Sequence, residues 1–346
     1  MAGPDLIVRG AGAFGLACAY AAARRGARVA VVDPAGVGAG ASGGVLGALA
    51  PHVPGAWNPK KQFQLESLVL SRTWWPEVEA RSGLTTGFAA TGRLQPVAPG
   101  GAALARAREA EARTCWGGAA VWEVLPAPAT DGAWAPECPE GLMIRDTLSA
   151  HLDPARACAA MAGAVRALGG AVVAEAPASA APVIHATGAA GLAALSEGRA
   201  RPVGTGVKGQ AARLALDRAG APQLFAGGLH VVPHLDGTVA VGSTTEGGAD
   251  DLSVDGALED VIARARSAVP ALRDAPVIAR WAGLRPRART RAPILGAWPG
   301  RAGHWVANGG FKIGFGMAPL VGEVMADLVL EGRDRVPGGF RVADSL

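Results

Sequence analysis

One tyrosine (Tyr20), four lysines and four cysteines are all that 346 residues contain of these types. Cys18, Cys115, Cys138 and Cys158 form no CxxC pair and no tight cluster with histidine. That spacing excludes a disulfide scaffold and gives no metal site. No uncharged apolar run approaches the roughly 18 residues a membrane helix needs. The opening Met1-Ala2-Gly3-Pro4-Asp5 lacks the basic and apolar regions of a signal peptide. The expectation is a cytoplasmic, reduced protein without a membrane partner. Excess charge is also scarce: 33 basic against 29 acidic residues leave +4. With no alternation of basic and aromatic residues, little speaks for a nucleic-acid partner. Lys60-Lys61 reads as a solvated loop pair, and Trp74, Trp75 and Trp116 read as core.

Apolar residues are plentiful, at 50% of the chain against 18% charged. That is material for a sizeable core, and the length suits about two domains at roughly 150 residues each. Leu6-Ile7-Val8 and Val29-Ala30-Val31-Val32 read as buried strands flanking an Ala-rich helix from Phe14 to Arg25. Strand, glycine turn, helix, strand is parallel-sheet architecture. A helix over 62–81 is expected to break at Pro76. Gly92 to Val97 reads as a strand, 98–140 as loop-rich with a helix near 101–113, and Asp153-Pro154 as the start of a helix ending at Leu168. Strands follow at 171–173 and 182–186. From 206 to 245 the pattern alternates, with antiparallel strands at 207–214, 229–233 and 238–243 and a turn at Asp236-Gly237. An amphipathic helix covers 255–268, and the tail offers a glycine turn at 308–316 and a helix from 318 to 330.

Gly10-Ala11-Gly12-Ala13-Phe14-Gly15 is GxGxxG set between strand and helix, with Asp33 at the end of the next strand. Gly10 permits the tight turn, Gly12 lets a pyrophosphate approach the backbone, and Gly15 lets helix pack on strand. The helix N-terminus supplies free N–H groups and the positive end of its dipole. Asp33 is placed to accept hydrogen bonds from a ribose. This is a dinucleotide site, and the motif alone does not separate NAD from FAD.

Three further segments decide that point: Gly38 to Gly44 with Val45 to His52, Trp281-Ala282-Gly283-Leu284-Arg285-Pro286, and Gly309 to Gly314. Together with His185 to Gly188, Lys208-Gly209-Gln210 and Val241 to Glu246, the chain resembles the D-amino acid oxidase family of FAD enzymes. The likeness runs along the whole chain and is closest to the glycine-oxidase branch. It implies a Rossmann-like FAD-binding domain, α/β in class, with an inserted antiparallel-sheet substrate domain. The division implied is 1–80, 146–205 and 276–346 for the cofactor, and 81–145 and 206–275 for the substrate.

The resemblance also implies roles. Gly10, Gly12, Ala13, Phe14, Gly15, Asp33, Ala41, Ser42, Gly43, Gly47, Thr187 and Gly188 would hold FAD, with the backbone of Val173 at the adenine. Gly310, Phe311, Lys312, Ile313 and Gly314 would face the flavin. Arg285 stands where glycine oxidase holds the substrate carboxylate, and a planar guanidinium suits that task. Lys312 replaces an arginine common in relatives as a second anchor, and His230 replaces a tyrosine that contacts substrate. No cysteine follows Cys158, so FAD is expected to be non-covalent.

The reaction implied is oxidative deamination of a small amine or amino acid of the glycine, sarcosine or D-amino-acid type, with hydride passing to the flavin. The electron acceptor, oxygen or another, stays open, as does a homo-oligomeric state. Arg285, Arg287, Arg289 and Arg291 alternate, which puts them on one side of any extended segment. A site for a larger anion is therefore a second reading: a carboxymethylaminomethyl group on tRNA wobble uridine. A third is a non-catalytic FAD subunit of a larger dehydrogenase.

Overall fold

The computed structural model describes residues 3–127, 134–248 and 251–346. Met1 and Ala2, and residues 128–133 within the loop-rich stretch, lie outside the described residues. The chain opens with β1 (Leu6–Arg9), α1 (Ala13–Arg24), β2 (Val29–Val32), β3 (Ala48–Leu49), α2 (Pro59–Ser82), β4 (Arg93–Pro96) and α3 (Ala102–Cys115). β5 (Trp122–Pro126), β6 (Leu142–Asp146), β7 (Ala150–His151), α4 (Pro154–Ala167), β8 (Ala171–Val173), β9 (Val183–His185) and α5 (Gly188–Ser196) follow. Then come β10 (Gly204–Ala215), β11 (Gln223–Ala226), β12 (Leu229–Pro233), β13 (Thr238–Gly242), β14 (Glu246–Gly247) and α6 (Gly256–Ala268). β15 (Val277–Ala288), β16 (Ile294–Ala297), β17 (His304–Asn308) and α7 (Gly314–Glu331) complete it.

Two sheets carry the architecture. The first has six strands in the order β16-β17-β9-β1-β2-β8. All its pairs are parallel except β16 with β17. The second runs β14-β10-β13-β12-β11-β4-β6-β5, with β15 also paired to β10. It is antiparallel apart from one pair, β11 with β4. β15 pairs with β10 from Ala288 back to Val277, so the chain rejoins the first sheet after residue 288 and not at 276.

Local signals explain the helices. Asp153 caps α4 by accepting from the Arg156 N–H at 3.0 Å, with Pro154 in the first turn, where its missing N–H costs nothing. Asn58 caps α2 in the same way, accepting from the Lys61 N–H at 3.1 Å. Pro76 does not break α2, which runs unbroken for 24 residues. The fully buried Trp74, Trp75 and Val78 tie both sides of the proline into the core, and that packing outweighs the lost hydrogen bond. Lys61 is on this helix, not in a loop, and its ammonium donates to the carbonyls of Val53 and Gly55. No helix among the described residues is long and apolar enough to cross a membrane.

The cores fix the orientation of both sheets. α1 is buried at eleven of its twelve residues, between the first sheet and α7. Gly322 lets α7 approach closely, since a Cβ there would sit 2.5 Å from the Ala17 carbonyl oxygen. In the second sheet, Leu94, Leu214, Leu224, Val231, Val241 and Val277 pack with Leu258, Val261 and Ile262 of α6. One face of that sheet is thus committed to α6. The period of two along a strand sends the alternate residues to the opposite face.

Candidate active site

Between the sheets lies a cavity of about 900 Å³. That is near the upper end of the roughly 300–1,000 Å³ typical of ligand clefts. Its floor comes from the first sheet. Gly10, Gly12, Ala13, Phe14 and Asp33 line it from the β1–α1–β2 unit, with Thr187 and Gly188 beyond β9. Its far wall is the face of the second sheet turned away from α6: Arg93, Phe225, His230, Gly242 and Arg285. Ser42, Ala41 and Gly47 line it from the segment after β2, and Gly310 to Gly314 from the turn before α7.

Gly10 adopts φ +105°, and a Cβ there would lie 2.4 Å from the Ala186 carbonyl oxygen. Only glycine tolerates both demands. Asp33 accepts from the Ala11 N–H at 2.9 Å and from the Ala35 N–H at 3.0 Å. Each carboxylate oxygen keeps further lone pairs for a ligand. The Ser42 hydroxyl accepts from the Ala13 N–H at 3.0 Å, joining this loop to the first turn of α1. Gly12, the residue before α1, has no side-chain cap, and neither has Ile313 before α7. Both helix starts face the cavity.

Arg285 is the most constrained side chain on the far wall. Nη1 donates to the Ser243 hydroxyl at 2.8 Å and Nη2 to the Thr244 carbonyl at 2.5 Å. No carboxylate pairs with it among the described residues, and burial pulls its pKa down to about 10. The Phe311 ring lies 5.7 Å from Arg285, 5.8 Å from Arg287 and 5.7 Å from the Lys312 ammonium. Three cations thus lie at cation–π range of one aromatic ring. Phe311 sits at φ +44°, a left-handed conformation unusual for a bulky residue. Lys312 is exposed to the open cavity, and desolvation, then Arg285, hold its ammonium below its ordinary value.

His230 packs on Phe225, with ring centroids 4.9 Å apart. Burial, then Arg93 and Lys312, push its pKa down to about 3. It is therefore neutral at physiological pH, and its buried Nδ1 has no partner among the described residues.

A profile of the family described as "FAD dependent oxidoreductase" matches residues 5–328. The chain belongs to this FAD dependent oxidoreductase family. Glycine oxidase of Pseudomonas aeruginosa is 36% identical over 114 residues, 33% of this chain and 31% of that protein. Glycine oxidase of Bacillus licheniformis is 29% identical over 211 residues, 54% and 56% of the two chains. The aligned segments thus span between about a third and just over half of these relatives. The crystal structure of glycine oxidase from Geobacillus kaustophilus shares the fold with a TM-score of 0.83 at 22% identity, covering 99% of each chain.

The residues present fit FAD. The Gly10 cradle, the start of α1 and Asp33 supply what a pyrophosphate and a ribose require, and the cavity continues from them to the second sheet. Three of the expected cofactor residues do not line it. Gly15 lies against the Gly10 carbonyl, and Gly43 against the Gly38 carbonyl; added Cβ atoms would sit 1.9 and 2.3 Å away, so both serve packing. Val173 stands beside Asp33, its carbonyl accepting the Asp33 N–H at 3.0 Å.

The four alternating arginines do not share one extended segment. Arg285 and Arg287 are on β15, whereas Arg289 and Arg291 belong to the turn after it. Arg287, Arg289 and Arg291 line a separate cleft of about 310 Å³. Sequence reasoning missed Arg93, Phe225, Ser243 and Trp281, all lining residues. The signal available was alternation: Arg93 and Gln95 are the polar positions flanking Leu94, which packs toward α6.

Proposed function

We propose that this member of the FAD dependent oxidoreductase family oxidises the CH–NH bond of a carboxylate-bearing amine or amino acid. Arg285 carries the reading. It is a half-buried guanidinium without a carboxylate partner among the described residues, held in place by Ser243 and Thr244 and facing the same cavity as the FAD-compatible helix starts. A substrate carboxylate would supply the missing counter-charge, and a guanidinium gripping it would fix the orientation of the adjacent Cα.

Gly10, Gly12, Ala13, Asp33 and Ser42 would hold the adenosine and pyrophosphate, and residues 310–314 the flavin. FAD, when bound, supplies a two-electron acceptor for hydride. The amine lone pair assists as the Cα–H bond breaks, giving an imine that water cleaves to a carbonyl compound and ammonia or a primary amine. No protein base is needed if the amine enters deprotonated, and the desolvated cations Arg285 and Lys312 disfavour a protonated one. The uncapped start of α7 favours negative charge beside it. Neutral His230 is suited to donate a hydrogen bond, not to carry charge.

FAD is proposed to be held without a covalent link. No cysteine lines the cavity among the described residues, and burial pushes the Cys158 thiol up to about 12. Thiolate reactivity is suppressed there. Product analysis tests the reading. Anaerobic mixing of the FAD-loaded protein with glycine, sarcosine and D-alanine should yield one carbonyl product and one amine per flavin reduced. Absence of a carbonyl product from every carboxylate-bearing amine would sink it.

A further inference from the structure

Alternation on the second sheet places Arg93 of β4, Phe225 of β11, His230 of β12 and Arg285 of β15 on one face, the wall of the cavity. Arg285 reaches across β10 to Ser243, just after β13. The Arg93 guanidinium lies over the Phe225 ring on β11, 5.9 Å from its centroid. The Arg285 guanidinium lies over Gly209 of β10 and reaches toward β13, so the two cations are separated by two to three strand spacings, about 10–14 Å. His230, paired with Gly242 on one side and Phe225 on the other, stands between them.

Arg93 is only 5% exposed. Its Nε edge faces Asp146 at 2.9 Å, and Asp146 also accepts from the Ser149 N–H at 2.7 Å. Nη2 is buried and has no partner among the described residues, and neither has Nδ1 of His230. Both residues line the cavity, so a ligand oxygen can fill these two positions, and an unfilled buried polar group is costly. Asp146 fixes the guanidinium from behind and leaves its other edge free.

We infer that the cavity takes an amine carrying two carboxylates, one on Arg285 and the second on Arg93 with His230. This rests on the proposed amine oxidation. Two carboxylates separated by a CH2–NH–CH2 link, with a hydrogen bond at each end, bridge a gap of this order. Two separate anchors also fix the amine between them, over the part of the cavity that the residues before α7 border.

Iminodiacetate and sarcosine, which differ by one carboxylate, test this on the full chain loaded with FAD. The ratio of their kcat/KM values should favour iminodiacetate by about a hundredfold, in line with a buried charged donor left unpaired by the smaller substrate. Arg93→Gln combined with Asp146→Asn, which leaves no buried charge unpaired, should collapse that ratio. Binding gives an independent readout. Glutarate has the shape of iminodiacetate without the nitrogen, and butyrate lacks its second carboxylate; neither is an amine. Calorimetric titration should show glutarate binding much more tightly to the unaltered protein, and the paired substitution should remove the preference. Equal affinities for glutarate and butyrate in the unaltered protein would overturn the second anchor. A clear glutarate preference with no oxidation of either amine would keep the anchor and refute the oxidation.

Discussion

Arg285 and Ser243 meet across β10, with Nη1 donating to the hydroxyl at 2.8 Å, so the guanidinium is held over the sheet before any ligand arrives. That pre-positioning makes Arg285 the sharpest target. Arg285→Ala should raise the KM for a carboxylate-bearing amine by roughly a hundredfold, the scale of losing one partner of a buried charge pair. Arg285→Lys should recover little, because lysine lacks the planar fork. FAD content, read from the absorbance of the purified variant, should be retained. An unchanged KM would remove Arg285 from the site.

Gly209 lies beneath that guanidinium. A Cβ at this position would come 1.9 Å from Nη2 of Arg285. Because the obstructed atom is the end of a flexible side chain, Gly209→Ala should leave the fold intact and displace the arginine. The expected result is an increase in KM by about tenfold or more with little change in Tm, since a displaced anchor loses binding geometry and not core packing. A normal KM would mean that the arginine has another productive position.

Acid should weaken the fold in a defined window. His151 is fully buried, both ring nitrogens lack partners among the described residues, and burial, then His234, pushes its pKa down to about 4. The unfolded chain binds a proton near the ordinary value of about 6.5, and the folded one does not until about 4. Stability is therefore complete above about 6.5 and falls as the pH drops through the window, by at most about 1.4 kcal/mol per pH unit for this group. Urea unfolding between pH 7.5 and 5 measures the slope. His151→Gln should flatten it by up to one proton, and an identical slope would contradict the assignment.

Gly10→Ala should act on cofactor and fold together. Its φ of +105° and the Ala186 carbonyl 2.4 Å from the added Cβ leave no relaxed conformation. The loss of stability should be about 1–3 kcal/mol, visible as a lower Tm, with FAD lost on gel filtration. A variant that keeps both would show that the turn is more pliable than the geometry implies.

The β1–α1–β2 unit was legible because its strands are short buried runs and its helix stops just before Gly26, which adopts φ 88°. The turn at Asp236-Gly237 and the cap at Asp153 were legible for the same kind of local reason. Pro76 misled because its cost is local, whereas what offsets it, the packing of Trp74 and Trp75, is tertiary. β15 hid its length because its glycine, proline and three arginines do not resemble a strand; pairing with β10 makes it one. Alternation put Arg93 on the polar face of its strand but did not mark it as a site residue, for a related reason. Nothing within its own strand tells that β11 and β12 carry Phe225 and His230 alongside it. The parallel contact of β4 with β11 joins segments well over a hundred residues apart.

The most direct measurement is the visible spectrum of the FAD-loaded protein, kept anaerobic and titrated with glycine, sarcosine, iminodiacetate and D-amino acids, beside Arg285→Ala under the same conditions. Flavin bands that bleach with at least one of these amines, and need far more of it in the variant, are the predicted result. Bands that stay unbleached with every amine, or that bleach equally in both proteins, would contradict an amine oxidation anchored at Arg285.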